Sequence, residues 1–213
     1  ITKIPRYEAV IYDEELVELN GQELGVFRIS VVSDPAIQAH GVMLSAQEIR
    51  KIYSVYFAGD DKQILIAPVL IPDQVIPRMD KNGSAFELIW RASEIEKNYN
   101  LFQSRNGQRI NLNHTDRLLQ CAVIDSYLVG KDKPKANYVG FEDSIYPAGT
   151  WVMAIHVPNK QDWEHIKLKG MDAFSIEANV FFDEVMQSAK VALQVNNTAE
   201  NIQSISTTQH EQQ

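Results

Sequence analysis

Apolar residues in this chain come in short runs, and the longest candidate, Ile64 to Ile71 (ILIAPVLI), has the length of a strand. A bilayer-crossing helix needs roughly 18 or more apolar residues, so no membrane partner is expected. Other runs have the same character and end on turn signals. Val26 to Val32 (VFRISVV) stops at Ser33-Asp34-Pro35, and Gly41 to Leu44 is a brief extended piece. Ala85 to Trp90 follows Lys81-Asn82-Gly83, whose Asn-Gly pair marks a hairpin turn. Ala122 to Val129, Thr150 to Val157 and Phe174 to Phe182 complete a set of about seven strands. Pro68 inside the Ile64 run predicts an edge or a bulge there.

Two helices interrupt the strands. Ser93 and Glu96 have the spacing of a capping box, and Ile95, Tyr99 and Phe102 follow on one apolar face. The second helix is expected after Asn159, a good N-cap, with Trp163 and Ile166 buried and Gly170 ending it. Ala46 to Tyr53 is a candidate third. The fold class expected is α+β: a mostly antiparallel β-barrel of about seven strands with two or three flanking helices. Pattern alone does not separate a barrel from a sandwich.

The folded domain is expected over 1–186. Residues 187–213 are rich in Gln, Asn, Ser and Thr and have no aromatic residue, so they predict a disordered polar tail. The whole chain is 213 residues, 45% apolar, with a formal charge of −8. That balance argues against a nucleic-acid partner, which would need clustered Lys and Arg. The lone Cys121 excludes an intramolecular disulfide and fits a reducing compartment such as bacterial cytoplasm. No basic-then-apolar segment opens the chain, so no secretory signal is expected, and Ile1 in place of Met reads as a trimmed or processed start.

His40, His114, His156, His165 and His210 show no ligand spacing, so no metal is expected; no Gly-rich phosphate loop is present, so no cofactor is expected either. Two segments carry possible chemistry. In INLNHT (110–115), His114 ends a short alternating run, among polar neighbours and open to titration near neutral pH. In KGMDAFSIEA (169–178), Ser175 stands where a strand would carry Val or Ile, and alternation puts it on one face with Glu177. Ser and His are the minimum for acyl transfer, since an imidazole must take the hydroxyl proton during attack. Each residue also has an ordinary reading, as a surface histidine and as a serine bonded to a nearby carbonyl.

Several segments, in order, resemble the phage prohead protease family, in particular its branch of phage serine proteases: FRISVVSDPAIQ (27–38), ILIAPVLIPDQVIPRMDKNGSAFELIW (64–90), NLNH (111–114), VIDSYLVGKD (123–132), GTWVMAIHVPNKQDWEHIK (149–167) and GMDAFSIEANVFF (170–182). Asp172-Ala173 departs from the Gly that usually precedes Phe-Ser. The resemblance covers 27–182 and makes 1–186 a protease domain. It implies a fold similar to the herpesvirus assemblin protease, a serine endopeptidase activity, Ser175 as nucleophile and His114 as general base. For the third member Glu177 is preferred to Asp125, and His156 is taken as structural. The implied substrates are phage scaffold and major capsid proteins, cut inside the prohead in the bacterial host cytoplasm, with self-cleavage and homo-oligomerisation left open. The competing expectation is a catalytically inert head-assembly or scaffold protein on the same barrel.

Overall fold

The structure is a computed structural model and describes residues 4–12, 18–19, 21–37, 42–44, 62–105, 109–135, 138 and 140–185. The chain divides into two compact units, Ile1–Asp183 and Glu184–Gln213. The expected helix at 46–53 and the expected tail at 187–213 lie outside the described residues.

Strands β1 (Arg6–Val10), β2 (Glu18–Leu19), β3 (Gln22–Glu23), β4 (Gly25–Val32) and β5 (Val42–Leu44) come first. Strands β6 (Ile64–Leu70), β7 (Ile76–Met79) and β8 (Ala85–Ile89) lead into helix α1 (Ala92–Ser104). Then come β9 (Ile110–Leu112), β10 (Ala122–Leu128), a 3-10 turn at Asp143–Ile145, β11 (Trp151–His156), helix α2 (Lys160–Leu168), β12 (Ala173–Asn179) and β13 (Phe181–Glu184). The class is α+β. The strands form three larger sheets, ordered β13-β1-β8-β7, β10-β11-β6-β5 and β12-β4-β9, plus the small pair β2-β3. Pairing is mostly antiparallel, with parallel pairs at β1–β8 and β4–β9.

One expectation needs correction. Strands are more numerous than about seven, because ladders of two to five residues are too short to leave a period-2 signal. The run from Phe174 to Phe182 in particular breaks at Val180, and its two halves join different sheets. Among the described residues the ladders form open sheets, each larger one ending on two edge strands, and the α+β class is what they establish.

The sheet containing β6 and β11 explains why the Ile64 run is apolar throughout. Leu65, Ala67, Val69, Trp151, Met153 and Ile155 belong to one core cluster, while Ile64, Ile66, Val152 and Ala154 belong to another. Alternate side chains of the same strands therefore face opposite clusters. A strand buried on both faces loses its alternation. The bulge expected near Pro68 is present: Trp151 pairs with Leu70 but Val152 with Pro68, leaving Val69 extra. On its other side β6 pairs with β5 only over Ile64 to Ile66, so Pro68 breaks no bond there.

Both helices form where expected, with one change. Asn159 caps α2, its Oδ1 accepting from the N–H groups of Gln161 (2.9 Å) and Asp162 (3.1 Å). Trp163 and Ile166 are buried, and Gly170 follows at φ +59°. Helix α1 starts one residue before the predicted capping box, after Arg91, and no side chain caps it. Its start is set by tertiary contacts. Arg91 pairs with Glu8 (3.1 Å) and Asp73 (2.6 Å). The β10–β11 connection passes so close that a Cβ on Gly149, itself at φ +87°, would lie 2.7 Å from Ala92 Cβ.

Alongside its apolar face, α1 buries a polar line that the pattern did not announce. Glu94 Oε2 accepts from the Ile11 N–H (2.8 Å), and Asn98 Oδ1 accepts from the Val26 N–H (2.8 Å). These side chains satisfy backbone donors at a strand end, where sheet partners are missing. Replacing Asn98 by Leu keeps the branched shape of the side chain but removes the acceptor and strands the Val26 N–H. We expect Asn98→Leu to lower unfolding free energy by about 1–3 kcal/mol in urea titrations; an unchanged midpoint would show that the bond contributes nothing.

Candidate functional site

Strand β4 runs antiparallel to β12 on one side and parallel to β9 on the other. Its Ser30 is directly opposite Ser175 of β12 and Asn111 of β9. Residues opposite one another in a sheet share a face. Ser175, Ser30 and Asn111 therefore make a polar row across three strands, while Ile29, Val31, Ile110 and Phe174 fill the core on the other side. Ser30 and Asn111 are fully buried and Ser175 is half-buried.

Just past β9 the chain turns back on itself. Asn113 (φ +48°) and His114 (φ +55°) are both left-handed, and the Thr115 N–H donates to the Leu112 carbonyl at 3.0 Å. This is a type I′ geometry made without glycine, which costs about 1–2 kcal/mol per residue. Asn111 holds the turn closed, its Nδ2 donating to the Thr115 carbonyl at 2.6 Å. The result is a His114 side chain, 43% exposed, set beside the polar row.

His114 Nδ1 is 3.0 Å from Ser30 Oγ and 3.3 Å from Glu177 Oε1. Glu177 is two residues beyond Ser175 and opposite Arg28. Its Oε1 also accepts from Asn111 Nδ2 at 3.4 Å, and its Oε2 lies 3.5 Å from Arg28 Nη1. Among the described residues no hydrogen bond joins Ser175 to His114; His114 bonds through Nδ1, so Nε2 is the ring nitrogen left over.

Ser175, Glu177 and His114 line one open cleft of about 560 Å³. Asp34 to Ala36, which follow β4, and Pro77 and Arg78 of β7 form the other wall. Arg78 Nη1 donates to the Pro77 carbonyl at 3.3 Å, and no carboxylate pairs with it among the described residues. Burial moves its pKa down from the usual guanidinium value, yet arginine stays charged in water-exposed clefts.

Of the residues singled out in the sequence, Ser175, His114 and Glu177 come together and Asp125 does not. Asp125 is buried in β10, where its carboxylate accepts from the Lys135 N–H (2.7 Å) and the Tyr138 hydroxyl (3.1 Å), tying down the loop that follows. His156 is on β11, opposite Ala122 and Ile64, away from the cleft, and burial lowers its pKa. Ser30, Asn111 and Arg28 belong to the cluster and were missed. The signal for Ser30 was present, as a hydroxyl inside the apolar run FRISVV.

No family model matches the chain, and no match is found among the curated proteins or the solved structures.

Cys121, the single cysteine of the chain, precedes β10 and does not line the cleft. Burial pushes its thiol pKa up to about 12. The reactive species is the thiolate. At pH 8 iodoacetamide should therefore modify the folded chain about a thousandfold more slowly than the chain in urea, as read by intact mass; equal rates would show an open, ionisable thiol.

Proposed function

We propose that this chain is a serine endopeptidase of the phage prohead protease type, with Ser175 as nucleophile, His114 as general base and Glu177 as the group that orients the imidazole. The reading rests on one observation: the three side chains line a single cleft, with His114 Nδ1 3.3 Å from Glu177 Oε1. The resemblance of 27–182 to that family supports it independently of the geometry.

In this mechanism Ser175 Oγ attacks the scissile carbonyl carbon and its proton passes to His114 Nε2. The tetrahedral adduct collapses, the C–N bond breaks, and His114 gives that proton to the departing amine. Water then attacks the acyl-enzyme ester, yields a proton to His114, and releases the new carboxyl end while Ser175 recovers its hydrogen. Glu177 offsets the positive charge that the imidazole carries during both steps. Ser175 approaches His114 when substrate fills the cleft, since catalytic hydrogen bonds are commonly long or unformed in free enzymes.

The substrates belonging to this reading are scaffold and major capsid proteins inside a phage prohead in the bacterial host cytoplasm. Among the described residues, no helix is long and apolar enough to cross a membrane. The barrel is part of the same proposal. Strands β6 and β12 pack against each other although they belong to different sheets, and continuing that contact around the domain would give a barrel.

A fluorophosphonate probe tests the assignment. It should label wild-type chain at Ser175, mapped by peptide mass spectrometry. Ser175→Ala should abolish both labelling and peptide cleavage, and His114→Ala should reduce both to background with the circular dichroism spectrum unchanged. Glu177→Gln should slow turnover at least about tenfold. A chain that is folded, unlabelled and unable to cleave capsid or scaffold protein would overturn the enzymatic reading in favour of an inert assembly protein.

A further inference from the structure

Three buried or half-buried side chains around His114, those of Ser30, Asn111 and Glu177, leave little freedom in where its protons go. The orientation of the Asn111 amide is set by its nitrogen, which faces two acceptors, the Thr115 carbonyl at 2.6 Å and Glu177 Oε1 at 3.4 Å. Asn111 Oδ1 is therefore the atom turned to Ser30 Oγ, from which it accepts a hydrogen bond. An amide oxygen only accepts. The one hydroxyl proton of Ser30 is thus spent on Asn111, and what Ser30 presents to His114 Nδ1, 3.0 Å away, is a lone pair. Glu177 Oε1, 3.3 Å from the same nitrogen, is also an acceptor. Two acceptors converging on Nδ1 require a hydrogen there.

Resting on the reading of Ser175 and His114 as nucleophile and base, we propose that Ser30 and Asn111 are positioning residues that hold neutral His114 as its Nδ1–H tautomer, leaving Nε2 as the basic nitrogen. In the proposed site this work is shared. Glu177, 3.3 Å from Nδ1, adds charge to its part in orienting the ring, and the Asn111–Ser30 chain, 3.0 Å away through the Ser30 hydroxyl, gives Nδ1–H a second, neutral acceptor. Burial strengthens the arrangement. Ser30 and Asn111 are each 0% exposed, so neither can turn to water as an alternative partner, and a buried polar group without a partner is costly. The same burial argues that Ser30, despite its distance to the imidazole, is no nucleophile: a scissile carbonyl cannot reach an oxygen fully covered by its neighbours. Asn111 acts twice, aiming Ser30 and clamping the strained turn that carries His114.

Nitrogen NMR of the histidine rings in the ¹⁵N-labelled full chain gives a readout separate from activity. Above the imidazole titration, His114 of the wild type should show a protonated Nδ1 and a bare Nε2; the opposite tautomer would overturn the proposal without any variant being made. Ser30→Ala is the smallest change that removes the lone pair. It should move His114 toward a mixture of tautomers and lower kcat on a peptide substrate at least about tenfold, with KM unchanged. Ser30→Thr, which keeps the hydroxyl, should retain the wild-type tautomer. A folded Ser30→Ala chain with wild-type tautomer and kcat would assign no positioning role to Ser30. Fluorophosphonate labelling separates the positioning role from the choice of nucleophile. Labelling at Ser175 in wild type with unaltered His114 in Ser30→Ala overturns the positioning role alone. Labelling at Ser30 overturns both the positioning role and the choice of nucleophile. No labelling with the Nδ1–H tautomer present leaves the proton arrangement standing and removes the enzymatic reading.

Discussion

The arrangement of this domain depends on β4, a strand that must satisfy two neighbours of opposite direction and two faces of opposite polarity. Its parallel partner β9 arrives about eighty residues later and its antiparallel partner β12 later still. One face supplies Ile29 and Val31 to the main core; the other supplies Ser30 to a buried polar row. A serine and an asparagine fully removed from water would each cost roughly 2 kcal/mol or more if left unpaired. They are bonded to each other and onward to the turn and the imidazole. The apolar face drives assembly without regard to register. The polar face fixes it, because sliding β9 by one residue would put Asn111 in the core and Ile110 or Leu112 against Ser30.

That register is what brings distant sequence motifs into one place. Helix α1 packs on β4, and its buried Asn98 bonds the β4 backbone at Val26. Helix α2 leads into β12 through Gly170 and Met171, whose N–H returns to the Ile166 carbonyl at 3.0 Å. The capped start and left-handed end of α2 give the following strand a defined entry. Ala173 and Phe174 then bury fully, and Ser175 is the first residue of β12 to reach the cleft. The small side chain of Ala173 suits this position: it is opposite Val32 inside the core, where no glycine is needed.

Legibility of the sequence followed the range of the forces involved. The cap of α2, the Asp80–Ser84 turn and the shared face of Ser175 and Glu177 are local, decided within a few residues, and could be read directly. The Asp80 carboxylate accepts from the Asn82 and Ser84 N–H groups at 2.8 Å each, as a tight turn before Gly83 requires. The start of α1 could not be read, because Arg91 is held by Glu8 and Asp73, more than eighty and eighteen positions away respectively. The roles of Ser30 and Asn111 could not be read for the same reason. A hydroxyl inside FRISVV and an amide inside INLNHT acquire meaning only when β4 and β9 pair. Asp125 misled in the opposite sense, since an acidic residue on a strand does not reveal that its partners are a loop amide and Tyr138.

The contacts of Glu177 bear on the charge that the proposed mechanism places on His114. Its carboxylate faces Arg28 at 3.5 Å through one oxygen, and Asn111 at 3.4 Å and His114 at 3.3 Å through the other. None of these contacts is short, and Arg28 itself is shared with Asp116 at 3.8 Å. A carboxylate distributed over three donors in an open, hydrated cleft holds each of them weakly, because charge interactions there are screened by water. Covering the cleft with a bound chain would exclude that water and strengthen every contact at once. Arg28 and Asn111 keep their direction, as both are fixed by the sheet. His114 is the partner that can change its charge. Under the proposed mechanism, the strengthened field of Glu177 therefore acts selectively on the state in which His114 has accepted the Ser175 proton, which is the state that must be stabilised for acyl transfer to proceed.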